Sequence, residues 1–387
     1  FHNTMVDRIT SRRPESEMIP RAEPTPSKAL VIEDLESILQ PIFGNLRKSH
    51  GVVIRSSRGQ LDADIALKLR VANGTHTAAA HTMALTGLVM TDVLSSDSEE
   101  SKLILNYLDS LVANQIVPGV EATTDFTATK AETQAVYEDW RRRLIHAHFG
   151  LSTFFITQNG AAKGGIRIGP TIRELIQSSS HIQCSTAFSL AALLRFLTHT
   201  GTKTKEQNLY IGWFDPKRHE EQNLETGSFD REKHEESKTI PYADGLEYNI
   251  SEGWYCFRCD CIIRINGAET PLPMALHKIG LKEQPVAYES VIASYLCQPN
   301  GGNLANISDT SAFTTLVRAV ATLYARMMAG DALMDILGSL NMEASCESLV
   351  DGPYNCTIER FDASRPLHYQ KSSIPDDSLL LETPLAK

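Results

Sequence analysis

From Leu61 onward most of the chain is written in helical period. Apolar residues recur at three- and four-residue spacing near 61–94, 101–114, 131–148, 169–179, 181–199, 285–296 and 309–340. Such stripes bury themselves only against other helices or a sheet, so the pattern commits most of the length to a helix-on-helix core. The residues before Leu61 differ. TMVDRIT (4–10) and KALVIED (28–34) read as short strands, and the intervening SRRPESEMIPRAEPTP carries four prolines that argue against regular structure. One later stretch has a period of two. In WYCFRCDCIIRI (254–265), Tyr255, Phe257, Cys259, Cys261, Ile263 and Ile265 alternate with Cys256, Arg258, Asp260, Ile262 and Arg264. That reads as a strand, and Asn266-Gly267 offers a hairpin turn. The expected class is mainly α with a small β element, divided into a mixed segment 1–60 and a helical domain 61–387. DPKRHEEQNLETGSFDREKHEESK (215–238) forms a polar, charge-mixed loop in the latter.

The composition excludes several classes. The 387 residues are 42% hydrophobic and 22% charged, an ordinary globular balance, and the net charge of −10 disfavours a broad nucleic-acid face. No apolar run approaches the roughly 20 residues that span a bilayer, and no signal-peptide core opens the chain. Seven cysteines, an odd and modest number, suit a reducing, cytoplasmic compartment better than a disulfide framework. Asn-x-Ser/Thr sequons start at Asn73, Asn249, Asn306 and Asn355 and are read as chance. The chain opens at Phe1 directly in a strand-like stretch, so the expectation is a fragment of a longer protein.

Metal and nucleotide motifs are tested by spacing. Cys256, Cys259 and Cys261 form C-x2-C-x-C, but the alternation puts Cys259 and Cys261 on the apolar face and Cys256 on the other. No partner pair follows at zinc-site spacing, so they read as strand cysteines. His219-Glu220-Glu221 and His234-Glu235-Glu236 do not complete H-E-x-x-H, and GGIRIG (164–169) is not G-x-G-x-x-G. No metal is expected.

The segment KLRVANGTHTAAAHTMALTGL (68–88) is Ala-rich and apolar, yet carries an Asn-Gly pair inside it. Gly in a helix interior costs about 1 kcal/mol relative to Ala. Such a segment is either ending a helix or using its side chains. At about 100° per residue, Asn73 lies roughly 140° and His76 roughly 80° around from Lys68. Those three share one half of the helix, which His81 (about 220°) and Arg70 (about 200°) do not. An amine, an amide and an imidazole on one side can surround a substrate oxygen. The Lys would move a proton, the Asn polarise a carbonyl and the His fix a hydroxyl. A Lys in that role needs a pKa lowered from about 10.4 toward about 7–8 by burial or nearby cations. Spacing alone leaves open a snorkelling Lys, a helix-ending Asn-Gly and a surface His.

KLRVANGTH resembles the K-x4-N-x2-H signature of the polyol-specific long-chain dehydrogenases, a family that includes mannitol dehydrogenase and the tagaturonate and fructuronate reductases. His2-Asn3-Thr4-Met5-Val6-Asp7-Arg8-Ile9-Thr10-Ser11 resembles the family's P-N-S-M-V-D-R-I-T-P segment. AEPTPSKALVIED (22–34) is similar to its A-E-P-…-W-V-I-E-D stretch, with Ala29 in the Trp position, and RRLIHAHF (142–149) is a degraded match to R-F-x-N-P. Asn159, Lys163, Arg167 and Pro170 follow the N-x3-K-x3-R-x-x-P pattern of the tagaturonate reductase branch. These blocks cover residues 1 to about 200.

The resemblance implies an NAD- or NADP-dependent, metal-independent oxidoreductase. It would interconvert a polyol or aldonate with the corresponding ketose or keto-uronate. Residues 1–60 would be the tail of a nucleotide-binding Rossmann domain and 61–387 the helical substrate-binding and catalytic domain. Lys68 would be the general acid/base, Asn73 would donate to the carbonyl or alkoxide oxygen, and His76 would bind and orient substrate. Lys163 and Arg167 would hold the far end of the sugar or its carboxylate, with Asp7 on the substrate side. The implied partner is a small sugar alcohol or uronate, with no nucleic acid and no membrane. There are departures. Phe155 stands eight residues before Lys163, where mannitol dehydrogenases place an Arg, and His2 and Ser11 replace prolines. The Gly-rich turn that precedes V-D-R-I-T in the family is not in this sequence, so the chain alone is expected to bind NAD(P) weakly or not at all. The competing reading is a truncated, non-catalytic helical binding module derived from the same family.

Overall fold

The first strand, β1 (Thr4–Val6), lies antiparallel to β4 (Leu30–Glu33), which lies parallel to β5 (Val52–Arg55), giving a three-stranded sheet of order β1-β4-β5. The pairing sets Met5 against Val31 and Leu30 against Val52. Met5 and Val31 bury one face of this sheet against Leu61, with Val53 and Ile65 packed around them. The sheet thereby fixes the start of the helical region. The computed structural model describes residues 2–13, 16–23, 26–43, 51–88, 90–146, 150–151, 153–157, 160–198, 239–241, 247–249, 261–265, 268–279 and 283–351.

The proline-rich stretch is more regular than its composition argues. β2 (Thr10–Arg13) and β3 (Ser16–Ala22) pair antiparallel, with an irregularity between Ser11 and Arg13. Pro20 lies inside β3. In a two-stranded ribbon each strand keeps an unpaired outer edge, where a missing N–H breaks no ladder bond.

The helical region follows the periodicity closely. Helix α1 (Gln60–Leu67) runs through a π turn (Lys68–Asn73) into α2 (Gly74–Leu85), and α3 (Glu99–Leu111) runs through a second π turn (Val112–Ile116) into α4 (Val117–Ala122). The stretch predicted as one helix over 61–94 ends at Leu85 and is followed by a short 3-10 turn, Thr91–Ser95. Helix α5 (Lys130–Leu144) starts at a full capping box. Thr129 accepts from the Glu132 N–H, and the Glu132 carboxylate accepts from the Thr129 N–H. After the short helices α6 (Thr153–Thr157) and α7 (Gly160–Lys163), a third π turn (Gly164–Ile168) leads into α8 (Gly169–Gln177).

Helix α9 (Cys184–Leu197) is buried along its whole length, as an all-round apolar helix must be. It packs on α2 and on α11 (Ser311–Ala329), which in turn packs on α10 (Pro285–Cys297). Tyrosines tie this core together without leaving hydroxyls stranded. Tyr324 Oη meets Thr198 Oγ1 at 2.6 Å, Tyr295 Oη donates to the Ala161 carbonyl at 3.0 Å, and Tyr107 Oη meets Ser189 Oγ.

In the period-two stretch, β6 (Ile262–Ile265) pairs antiparallel with β7 (Ala268–Pro271). Cys261 and Ile263 are buried while Ile262 is exposed, as the alternation requires. Residues 254–260, with Cys256 and Cys259, lie outside the described residues. So do Asn266-Gly267, Asn159, the loop 215–238 with its His-Glu-Glu groups, and the chain beyond Asp351. No helix among the described residues is long and apolar enough to cross a membrane.

Candidate active site

The Asn-Gly pair does not end the helix. Lys68 to Asn73 is a single π turn inserted between α1 and α2. A π turn bonds residues five apart, which is the Lys68-to-Asn73 step, so the two lie closer to one side than α-helical arithmetic allows. Gly74 follows because another chain segment approaches there. A Cβ on Gly74 would sit 3.2 Å from the Arg167 carbonyl oxygen, in the third π turn. Small size at that position lets two π turns meet.

Lys68 faces the end of β1. Its ammonium donates to the Val6 carbonyl at 2.8 Å and pairs with Asp7 Oδ1 at 3.1 Å. The other oxygen of Asp7 accepts from Arg143 Nη2 at 2.9 Å, and Arg143 Nη1 donates to Glu23 Oε2 at 3.0 Å. Glu23 Oε1 accepts from the Ile9 N–H at 2.6 Å. Asp139 adds a 3.5 Å contact to Arg143 Nε. The ladder runs from inside to outside. Glu23 and Arg143 are buried, whereas the side chains of Asp7 and Lys68 remain 15% and 23% exposed at a cleft. Burial pushes the Glu23 carboxyl above its ordinary pKa, against the pull of the Arg143 guanidinium. Across the cleft, Asp64 is held by Lys28 and by Arg55 Nε at 2.6 Å, and its pKa is lowered: burial raises it, but the bonds to Arg55 and Lys28 outweigh that.

A second group lies inside. His76 is buried on α2, edge-on to Trp140 with ring centroids 5.7 Å apart, and its Nε2 has no hydrogen-bond partner. Burial first, then the Arg167, Lys163 and Arg143 charges, lower its pKa to about 3, so the ring is neutral at pH 7. Lys163 Nζ donates to the Ile156 carbonyl, and burial with the neighbouring Arg167 charge brings its pKa down to about 7. Arg167 Nη1 donates to Thr77 Oγ1 at 2.8 Å and to the Asn73 carbonyl at 3.4 Å, and burial lowers its pKa to about 10. Asn73 makes no side-chain capping bond, which leaves its amide available.

Helical arithmetic set His81 apart from the Lys68, Asn73 and His76 side. It is nevertheless in the field of Lys163 and Arg167, as His76 is. Its Nδ1 donates to the Thr77 carbonyl at 2.7 Å, and burial brings its pKa to about 3. The sequence-predicted residues therefore fall into two groups. Lys68 and Asp7 meet at the cleft, and the half-buried Lys163 and Arg167 place their charges near buried His76. Asn73 reaches the interior group through its carbonyl, and His76 feels Arg143 from the cleft group.

No family model matches the chain, and no curated protein matches it. Among solved structures it is similar to Pseudomonas fluorescens mannitol 2-dehydrogenase in ternary complex with NAD and D-mannitol. The two are 13% identical over 87% of this chain and 54% of that one, with a TM-score of 0.44. It is also similar to a D-sorbitol dehydrogenase in substrate-free form, 19% identical over 51% of this chain and 40% of that one, with a TM-score of 0.38. The chain thus spans about half the length of these proteins or less. What Lys68 and its neighbours do is carried by their geometry.

Arg143, Glu23 and His81 had no role assigned from sequence. Arg143 sits in the RRLIHAHF block and Glu23 in the AEPTPSKALVIED block, so both were within view. Their partnership spans 120 residues, which no local pattern encodes. The Phe155 position lies in α6.

Proposed function

We propose that this chain is the substrate side of an NAD- or NADP-dependent oxidoreductase that interconverts a polyol or aldonate with the corresponding ketose or keto-uronate. Lys68 is its general acid/base. The observation that carries this reading is the held but accessible ammonium of Lys68, between Asp7 Oδ1 and the Val6 carbonyl, at the start of the π turn that ends in Asn73.

The residues do not fit a dinucleotide by themselves, because the sequence has no Gly-rich turn opening a helix to cradle a pyrophosphate. The chain's own residues handle the substrate oxygen. As an amine Lys68 takes the hydroxyl proton, and as an ammonium it returns one to the carbonyl oxygen, with Asp7 and Val6 holding the charged form in place. The Asn73 amide donates to the same oxygen, and neutral His76 orients a neighbouring hydroxyl. Lys163 and Arg167 receive the far end of the chain. Residues 1–60 are read as the tail of a nucleotide-binding domain, which the parallel β4–β5 pair supports, since parallel strands require a crossover connection. Residues 61–387 are read as the helical catalytic domain, in a cytoplasmic enzyme.

The protein carrying this chain, supplied with NADH or NADPH and a panel of five- and six-carbon ketoses and keto-uronates, is expected to consume the reduced cofactor with at least one of them. A flat trace across the panel with both cofactors overturns the reading in favour of a non-catalytic helical binding module.

A further inference from the structure

Arg143 joins the buried end of the ladder to the open one. It stands in the last turn of α5 with its side chain 7% exposed, and it meets three carboxylates: Asp7 at 2.9 Å, Glu23 at 3.0 Å and Asp139 at 3.5 Å. A charge is tolerated inside a protein when it is paired, and Glu23, 2% exposed, already supplies that partner. The bond to Asp7 is therefore more than the burial of Arg143 requires. Asp7, by contrast, is shared. Its Oδ2 is held by Arg143, so the oxygen left for Lys68 is Oδ1.

Sharing has an electrostatic consequence. A lone carboxylate beside an amine favours the ammonium, and a cation on the carboxylate's other side opposes that preference. The other charged groups around Lys68 are engaged elsewhere. One turn earlier, Asp64 is taken by Arg55 and Lys28. On α5, Asp139 accepts from the Ser27 N–H and from Arg142. Arg70, in the same π turn as Lys68, pairs with Glu174 and Asp125. From the third π turn, Arg167 bonds Thr77 and the Asn73 carbonyl, and His76 on α2 is neutral at pH 7. Among the described residues, Asp7 is thus the carboxylate paired with Lys68, and Arg143 is the cation that shares it.

We infer that Arg143 is a positioning residue for Lys68: through the shared Asp7 carboxylate it keeps the ammonium at the cleft and weakens the hold of Asp7 on its proton, and Glu23 behind it sets how strongly. The consequence for turnover rests on the reading of Lys68 as general acid/base; the effect on Lys68 itself does not. Two substitutions act with opposite signs. Arg143→Met removes the opposing cation, so Lys68 keeps its proton to higher pH. Glu23→Gln leaves Arg143 an amide carbonyl to bond but takes away its counter-charge. More of the guanidinium charge then reaches Asp7, and Lys68 loses its proton at lower pH. Packing damage alone would not move one group in opposite directions.

The test follows Lys68 directly, by NMR titration of the full chain labelled at lysine Cε, the Lys68 signal being identified by its loss in Lys68→Arg. Its midpoint is expected to rise by about one pH unit in Arg143→Met and to fall in Glu23→Gln. The acid limb of the pH profile for alcohol oxidation, measured on the best substrate of the panel, should move with the midpoint in each variant. Shifts of the same sign in the two variants, or an unmoved midpoint in Glu23→Gln, would overturn the proposal. Should Arg143→Met fail to fold, Glu23→Gln decides it alone. Opposite shifts in a protein that turns over nothing leave the Arg143 assignment standing and overturn the enzyme reading instead. Opposite shifts with an unmoved acid limb likewise leave Arg143 in place, and show that Lys68 is not the group that moves the proton.

Discussion

Replacing Arg143 by Met keeps much of the side-chain volume and removes the charge that joins Asp7 to Glu23. Arg143 and Glu23 are both buried, and their 3.0 Å bond sits next to the 2.9 Å bond to Asp7. Deleting one partner of a buried ion pair costs about 3–5 kcal/mol, because the remaining charge stays desolvated and unpaired. The cost at pH 7 should fall in that range. Its pH dependence follows from Glu23. Burial already raises that carboxyl above its unfolded value even with Arg143 present, and without the guanidinium it rises further. An acid with a raised folded pKa takes up a proton on folding, so its stability contribution is full below the unfolded pKa and is lost as pH rises through the folded one. Urea denaturation of wild type and Arg143→Met between pH 4 and pH 8 should therefore show a deficit that grows with pH. A deficit below about 1 kcal/mol at pH 7, or one independent of pH, would mean that Glu23 is not an unpaired charge in the variant, and the ladder reasoning fails.

Other outcomes follow from the same geometry. Gly74→Ala, usually worth close to 1 kcal/mol in a helix interior, should gain nothing or lose about 1 kcal/mol in urea melts, because the new Cβ meets the Arg167 carbonyl at 3.2 Å. Lys163, with its pKa lowered to about 7, releases its proton on folding above that value. Wild type should therefore gain stability from pH 7 toward pH 10, and Lys163→Met should lose that slope in thermal melts. Thr129→Ala removes the hydroxyl of the α5 capping box and should cost about 0.5–2 kcal/mol by urea denaturation, with no change at the cleft.

Much of the helical architecture was legible because burial follows period. Helix α9 is apolar all round and is buried along its whole length, and α10 ends within a residue of its apolar stripe, whereas the stripe at 309–340 is broken at Gly330 into α11 and a separate helix, Leu333–Ser339. The ribbon β2–β3 was not legible, since prolines count against strands unless one knows that the strand has a free edge. The site was half legible. Lys68, Asn73 and His76 stand out as polar residues on an apolar helix, but the arithmetic assumed α geometry through what is a π turn. That is why Lys68 and Asn73 lie closer together in angle than spacing predicted. It also hid the reason for Gly74, which belongs to a segment more than ninety residues away. His81 joined the interior group through Lys163 and Arg167, contacts that only the tertiary fold creates.

On the proposed reading, Lys68 moves the proton. Its most direct test is the turnover of Lys68→Ala against wild type on the best substrate of the panel, at saturating cofactor and with folding checked by melting. The expected result is a fall of about 10²–10⁴-fold in kcat, the ordinary contribution of a general acid or base. A variant that retains turnover within about tenfold of wild type would contradict it.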